Sequence, residues 1–304
     1  SVVQNRIAGI HFTGAVFTNI THDHLDYHKT FSEYIKAKKG FFDMLPSTAF
    51  ALVNRDDKNG VVMLQNTKAG KHTYGLKSVA DFKCRIIENH LNGLLLNIDN
   101  HEVWVKLIGT FNAYNVLAVY ATAVLLKQDT TNILTALSNL NSVEGRFQYV
   151  RSPKGVIGIV DYAHTPDALK NVLETIQDIR SGNEQIITLV GCGGDRDSAK
   201  RPVMAAIACE YSTRVILTSD NPRSEDPEEI LNQMQKGVSP ADVKKVLRIT
   251  DRREAIRTAC SFGNKGDIIL IAGKGHEKYQ DIKGVKHDFD DLEILKETIK
   301  TLDI

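Results

Sequence analysis

The sequence has little cysteine. Its four cysteines, Cys84, Cys192, Cys209 and Cys260, lie far apart and form no CxxC pair. This excludes a thiolate metal framework and a disulfide scaffold, and it favours a reducing cytosol. Neither charge is in surplus: 38 Lys and Arg stand against 37 Asp and Glu, a net +1. No global field therefore draws the chain to nucleic acid or to an anionic membrane. No window approaches the roughly 20 apolar residues that a membrane helix needs. Internal repeats and low-complexity tracts are lacking. At 42% hydrophobic and 25% charged residues the composition is that of a soluble globular protein, not of a disordered one. The phosphate-loop pattern GxxxxGK[ST] is also absent, so no residue can act as the usual P-loop lysine. The chain opens on Ser1 with no initiator methionine, and nothing there has the basic start, apolar stretch and small cleavage residues of a secretory signal. The expectation is a piece of something longer.

At 304 residues there is material for about two domains. The first half mixes its signals. A strand is expected near Ala15–Ile20, then a loop dense in His and Asp, then a helix over Phe31–Phe42 with one apolar face. Ala49–Val53 reads as a short buried strand. Lys83–Leu107 holds two or three alternating strands with Asn92-Gly93 and Asp99-Asn100 as hairpin turns. Helices follow at Ala113–Leu126 and near Thr131–Leu140. The second half alternates regularly. Strand-like runs at Val156–Val160, Gln185–Val190, Arg214–Thr218, Lys245–Ile249 and Ile268–Ala272 are separated by helical patterns at Pro166–Arg180, Ala199–Glu210, Pro227–Lys236 and Arg252–Phe262. A last helix covers Asp291–Leu302. Such alternation implies an α/β fold with a doubly wound parallel sheet, whose ligands bind at the carboxyl ends of the strands. Four of the five strands end in polar, ligand-like loops: Asp161–His164, Gly191–Asp197, Ser219–Arg223 and Gly273–Glu277.

Several clusters are candidates for chemistry. Thr21–His28 packs three histidines and two aspartates just after a strand, a set able to hold a divalent metal. It approximates the HxHxDH of metallo-β-lactamase-like hydrolases, but Tyr27 separates Asp26 from His28 and spoils the register. The alternative is a polar loop capping the next helix. Lys38 follows on that helix, its stem on the apolar face. By composition it reads as a snorkelling lysine; as a carbamate it would offer carboxylate-like oxygens. Gly191–Asp197 and the succeeding Lys200-Arg201-Pro202 form a glycine-rich turn into a helix N-terminus, suited to anions or to a plain strand-to-helix turn. Asp220-Asn221-Pro222-Arg223 presents a carboxylate, an amide and a guanidinium on one turn. Those are the parts needed to hold an amino acid, and equally the parts of an Asx-Pro turn. Gly109–Asn115 opens a helix either as an N-cap region or as an asparagine reader of adenine.

Taken in order, these motifs resemble the Mur ligases, most closely the MurE type. The resemblance runs through Phe17–His28, Tyr34–Lys38, Gly109–Asn115, Gly145-Arg146, Asp161–Asp167, Gly191–Pro202, Asp220–Arg223 and Ala272–Gln280. It implies a partial Mur-ligase central ATP-binding domain over 1–148, followed by a Rossmann-like C-terminal domain over 149–304. The family's P-loop and a Glu-Val-Ser-Ser segment would then precede Ser1, and the chain by itself would be inactive. The implied activity is ATP-dependent addition of meso-diaminopimelate to UDP-N-acetylmuramoyl-L-Ala-D-Glu through an acyl phosphate, in peptidoglycan precursor synthesis in the cytoplasm, by a monomer.

The resemblance also implies roles for residues. His24 and a carbamylated Lys38 would be the catalytic residues and hold Mg²⁺. Asn112, Asn115, Arg146, Asp161, Tyr162 and His164 would contact ATP. Arg196, Asp220, Asn221, Arg223, Gly273 and Glu277 would line the pocket for the incoming amino acid, with Arg223 and Asn221 on the distal carboxylate of diaminopimelate. Lysine carries no carboxylate at that end, so the arginine selects against it. Two other readings are a different member of the superfamily, such as a folylpolyglutamate synthase, and a non-catalytic module that binds an amino acid or muropeptide. The Asp220–Arg223 turn argues against the synthase.

Overall fold

Short apolar runs bounded by capping residues set the elements of this chain. The structure, a computed structural model, describes residues 6–21, 30–180 and 182–304. It divides into two units, Ser1–Asn141 and Ser142–Ile304. The division falls upstream of the 148/149 boundary expected from sequence. The segment Gln148–Arg151 pairs with Ile157–Asp161, and the Tyr162 amide donates to the Gly145 carbonyl at 2.9 Å.

The first unit is built on a six-stranded sheet in the order β1 (Gly14–Phe17), β2 (Phe50–Asn54), β3 (Gly70–Gly75), β4 (Phe82–His90), β5 (Gly93–Ile98) and β6 (His101–Val105). Strands β1 to β4 are parallel, and β4 to β6 form an antiparallel meander. Helices α1 (Phe31–Asp43), a single turn α2 (Gly60–Met63), α3 (Thr110–Leu125) and α4 (Thr130–Ser138) complete it. Every residue of β2 is buried, because both faces of the sheet are covered. Phe50 and Leu52 join Ala113, Leu117 and Ile133 of α3 and α4 in one core. Ala51 and Val53, pointing the other way, meet Phe17, Phe42 and Met63. Thr30 caps α1 by accepting from the Glu33 amide at 3.2 Å.

The Asp99-Asn100 turn forms with both residues at positive φ, 46° and 71°, the backbone of a type I′ hairpin. The preceding turn is Leu91-Asn92, one residue earlier than the sequence suggests, because Gly93 at φ +141° already pairs with His90. Asp56, after β2, accepts from the amides of Leu76, Lys77 and Ser78 at 2.8, 2.9 and 2.7 Å and from the Tyr114 hydroxyl at 2.9 Å. Burial alone would raise its carboxyl. The hydrogen bonds outweigh burial and hold it well below the usual range. The start of α3 is thereby fastened to the loop between β3 and β4.

The second unit has a sheet in the order β11 (Val246–Arg248), β10 (Arg214–Leu217), β9 (Ile186–Val190), β12 (Ile268–Ala272), β8 (Ile157–Asp161) and β7 (Gln148–Arg151). All strands are parallel except β7. Helices α5 (Pro166–Ile179), α6 (Lys200–Tyr211) and α7 (Pro227–Gln235) pack in sequence on one another, while α8 (Arg252–Phe262) packs on α9 (Asp291–Leu302). Ile256, Ala259, Leu292 and Leu295 of the latter pair share a core with Val160, Leu189, Ile216 and Ile271. A two-stranded hairpin, β13 (Tyr279–Ile282) and β14 (Val285–Asp288), follows β12. The four strands that end in polar loops, β8, β9, β10 and β12, are adjacent in this order, so their loops meet at one end of the sheet. No helix among the described residues is long and apolar enough to cross a membrane.

Candidate active site

The loop after β10 is the centre of this end of the second unit. Asp220 and Asn221 are buried at 6% and 2% exposure, and polar groups buried so deeply require partners. The Asn221 side chain has them on both sides. Its Nδ2 donates to Glu277 Oε2 at 2.7 Å, and its Oδ1 accepts from Lys274 Nζ at 3.0 Å and from the Asp281 amide at 2.9 Å. The hairpin completes the clamp. Gln280 Nε2 donates to the Asp220 carbonyl at 2.7 Å, the Arg223 amide to the Asp281 carbonyl at 3.0 Å, and the Lys283 amide to the Arg223 carbonyl at 2.7 Å. Arg223 is held at φ +51°, a backbone that a non-glycine residue adopts at a cost and only when its surroundings dictate it. Its Nη1 donates to the Gly194 carbonyl at 2.6 Å.

The glycine-rich loop after β9 lies directly against this turn. A Cβ on Gly194 would stand 1.9 Å from the Pro222 carbonyl oxygen, so only glycine fits. Arg201, 1% exposed, braces the loop from behind. It makes two bonds of 2.8 Å to Glu225 and donates to the Gly193 carbonyl at 3.2 Å, and Glu225 in turn accepts from the Asp195 amide at 2.6 Å. Below the loops, buried Arg252 donates to both Asp291 oxygens at 2.8 Å, to the Ala272 carbonyl at 3.1 Å and to the Ser219 carbonyl at 3.4 Å. One guanidinium thus joins the ends of β10 and β12 to α9.

A second group gathers at the end of β8. The Tyr162 ring makes tilted contacts with His164 at 4.5 Å and His276 at 4.9 Å, and the Arg146 guanidinium lies 4.9 Å from its centre. Lys200 Nζ donates to the His164 carbonyl at 2.8 Å. Asp161, 5% exposed, accepts from the Phe147 amide at 2.7 Å. Burial pushes its carboxyl up to about 6, against the lowering pull of that bond and of Arg146.

The residues singled out from sequence therefore fall into groups. Asp220, Asn221, Arg223, Gly273 and Glu277 come together. So do Arg146, Tyr162 and His164, with Asp161 beside them. Arg196 is exposed, and its one hydrogen bond is a 3.5 Å contact with the carbonyl of its neighbour Asp195. In the first unit, Asn112 and Asn115 lie one turn apart near the start of α3, where Asn115 Nδ2 donates to Asn112 Oδ1 at 3.1 Å. Lys38 is half-buried, its Nζ 5.1 Å from the Tyr34 ring centre. Its neighbours Lys36 and Lys39 are paired with Glu33 and Asp43; Lys38 has no carboxylate partner among the described residues. His24 lies outside the described residues. Among those described, no three His, Cys, Asp or Glu side chains converge as a metal site. Sequence reasoning passed over Lys274, Gln280, His276 and the Arg201–Glu225 brace. The glycines that flank Lys274 are the sequence signal that would have found its inward turn.

The Mur ligase middle domain family matches residues 1–123, and the family described as Mur ligase, glutamate ligase domain, matches residues 145–275. The UDP-N-acetylmuramoyl-L-alanyl-D-glutamate--2,6-diaminopimelate ligase of Cytophaga hutchinsonii is 60% identical over 302 residues, covering 99% of this chain and 62% of its own length. The ligase of the same name from Bacteroides thetaiotaomicron is 59% identical over 297 residues, covering 98% and 62%. A solved structure of an enzyme so named aligns with 100% of this chain and 63% of its own, at 37% identity and a TM-score of 0.63. The chain spans about 62% of the length of these curated relatives. With both domain families matched in order along it, the chain belongs to the Mur ligase family.

Proposed function

We propose that this chain supplies the amino-acid pocket and part of the ATP site of a cytoplasmic ligase that joins meso-diaminopimelate to UDP-N-acetylmuramoyl-L-Ala-D-Glu. The observation that carries this reading is the clamped Asp220–Arg223 turn. It presents a half-buried guanidinium beside an amide and two carboxylates at the ends of parallel strands, where α/β sheets bind ligands. Arg223 and the second hydrogen of Asn221 Nδ2 would grip the distal carboxylate. Asp220 and Glu277 would face an ammonium. The names of the relatives in Cytophaga and Bacteroides support this substrate pair, and four unpaired, buried cysteines suit a reducing compartment.

ATP is the co-substrate of this reading. In the second unit, Arg146, Tyr162 and His164 would offer it a cation and π faces; in the first unit, taken by itself, Asn112 and Asn115 would offer amide edges for adenine. His24 and a carbamylated Lys38 would hold Mg²⁺. A bound magnesium ion supplies positive charge to the phosphate oxygens. The chain's own residues orient the diaminopimelate amine and exclude water from it. The Arg223→Ala substitution in the active ligase is expected to raise the KM for diaminopimelate about tenfold or more, the worth of a charge-assisted hydrogen bond, with a smaller change in kcat. An unchanged KM in steady-state assays would contradict the pocket.

A further inference from the structure

Lys274 is fully buried, at 0% exposure. Burying an ammonium is costly unless it is paired, and the backbone around this one is shaped to bury it. Gly273 and Gly275 flank it at φ +117° and +52°. A Cβ on Gly273 would come within 2.7 Å of Asp220 Oδ2, and one on Gly275 within 2.7 Å of the Gly145 carbonyl oxygen. The two glycines let the chain turn and press against its neighbours while the residue between them points inward. There Nζ lies 3.0 Å from Asn221 Oδ1, 3.3 Å from Glu277 Oε2 and 3.7 Å from Asp220 Oδ1, with the Tyr279 ring centre at 5.7 Å. The other buried cations of this end, Arg252 and Arg201, are matched by Asp291 and Glu225. Lys274 thus faces two carboxylates, and one negative charge is left over.

We propose that Lys274 is a positioning residue of the amino-acid pocket, and that its charge sets the net ligand charge the pocket accepts. Together with the Asp281 amide it occupies Asn221 Oδ1 and fixes the amide flip, so that Nδ2 is the atom available to Glu277 and to a ligand carboxylate. By cancelling one of the two carboxylates it leaves a single negative charge for a single ammonium. This rests on the pocket assignment made above.

The test is isothermal titration of meso-diaminopimelate and of L-lysine into this chain and into its Lys274→Met variant. L-Lysine serves as the probe with one carboxylate fewer. Removal of the buried charge is expected to weaken diaminopimelate binding about tenfold or more, while L-lysine binding falls less or strengthens, so that the ratio of the two affinities shifts toward lysine. Equal weakening of both ligands would mean a purely structural role and overturn the proposal. Unchanged diaminopimelate binding would overturn it too. If the methionine variant lacks the cooperative thermal transition of the parent, Lys274→Gln carries the same comparison, since it keeps a donor for Asn221 and removes the charge. Failure of the unsubstituted chain to bind diaminopimelate would sink the pocket assignment, and this inference with it. Binding by the parent with an unshifted ratio in the variant would sink this inference alone.

Discussion

Asp161 shows how one side chain at the end of β8 carries both fold and pH response. Its carboxyl lies under the Gly145–Phe147 segment and is raised to about 6 chiefly by burial. In the unfolded chain such a group titrates near 3.8, so the folded state holds the proton more tightly. The stability it contributes is complete below the unfolded value and is lost as pH rises through about 6, a change of about 3 kcal/mol. Asp161→Asn keeps an acceptor for the Phe147 amide and removes the titration. The difference in unfolding free energy between parent and variant is therefore expected to move in the variant's favour between pH 4 and 7. Denaturant titrations over that range check it, and a constant difference would refute it. The sequence marked Asp161 as a site residue because it ends a strand in a polar loop. It gave no sign of the burial, which depends on Phe147 turning back at φ +45°. Lys274 was hidden for a similar reason. In sequence it is one polar residue in a polar loop, and its interior place is made by Glu277 of the same loop together with Asp220 and Asn221 of a distant one.

At the scale of elements, the helices with strong boundary signals were readable. Asp251 caps α8 and Asp290 caps α9 through side-chain acceptance of backbone amides, and Pro166 and Pro227 stand in the first turns of α5 and α7. The core strands β8, β9 and β12 are buried throughout and read as apolar runs for that reason. The strands β3, β7, β13 and β14 carry few buried apolar side chains. Pairing forms them and no apolar pattern does: β3 lies between β2 and β4, β7 pairs with β8, and β13 pairs with β14 across the Lys283-Gly284 turn, both of whose residues have positive φ. Yet the β13–β14 hairpin is what clamps the Asp220–Arg223 turn. Tyr279 and Asp288 pair directly, so a short Gly-Ser link can replace 280–287 without stretching the chain. This replacement is expected to leave the helical circular dichroism signal intact and to abolish diaminopimelate binding in titration calorimetry. Retained binding would show that the turn holds its shape unaided.

At the scale of the whole molecule, regular alternation made the doubly wound second unit legible from sequence, whereas the mixed sheet of the first unit emerged only in part. Its β3 holds little but Tyr74 in the core. The second unit covers both faces of its sheet with its own helices and borrows no strand. Residues 142–304 produced alone are therefore expected to unfold in one cooperative transition, with dispersed amide resonances. A broad, non-cooperative melt would contradict that independence. The Arg252–Asp291 pair adds an order of events. Every strand of this sheet is synthesised before α9, yet the guanidinium beneath β10 and β12 is neutralised only when Asp291 arrives. A released chain that ends at Phe289 has every strand of the sheet but lacks the carboxylate that pairs with Arg252. The ligand end of this unit is thus the last part able to set as the chain lengthens, and a chain that stops short of Asp291 is marked for unfolding at the place where it would bind.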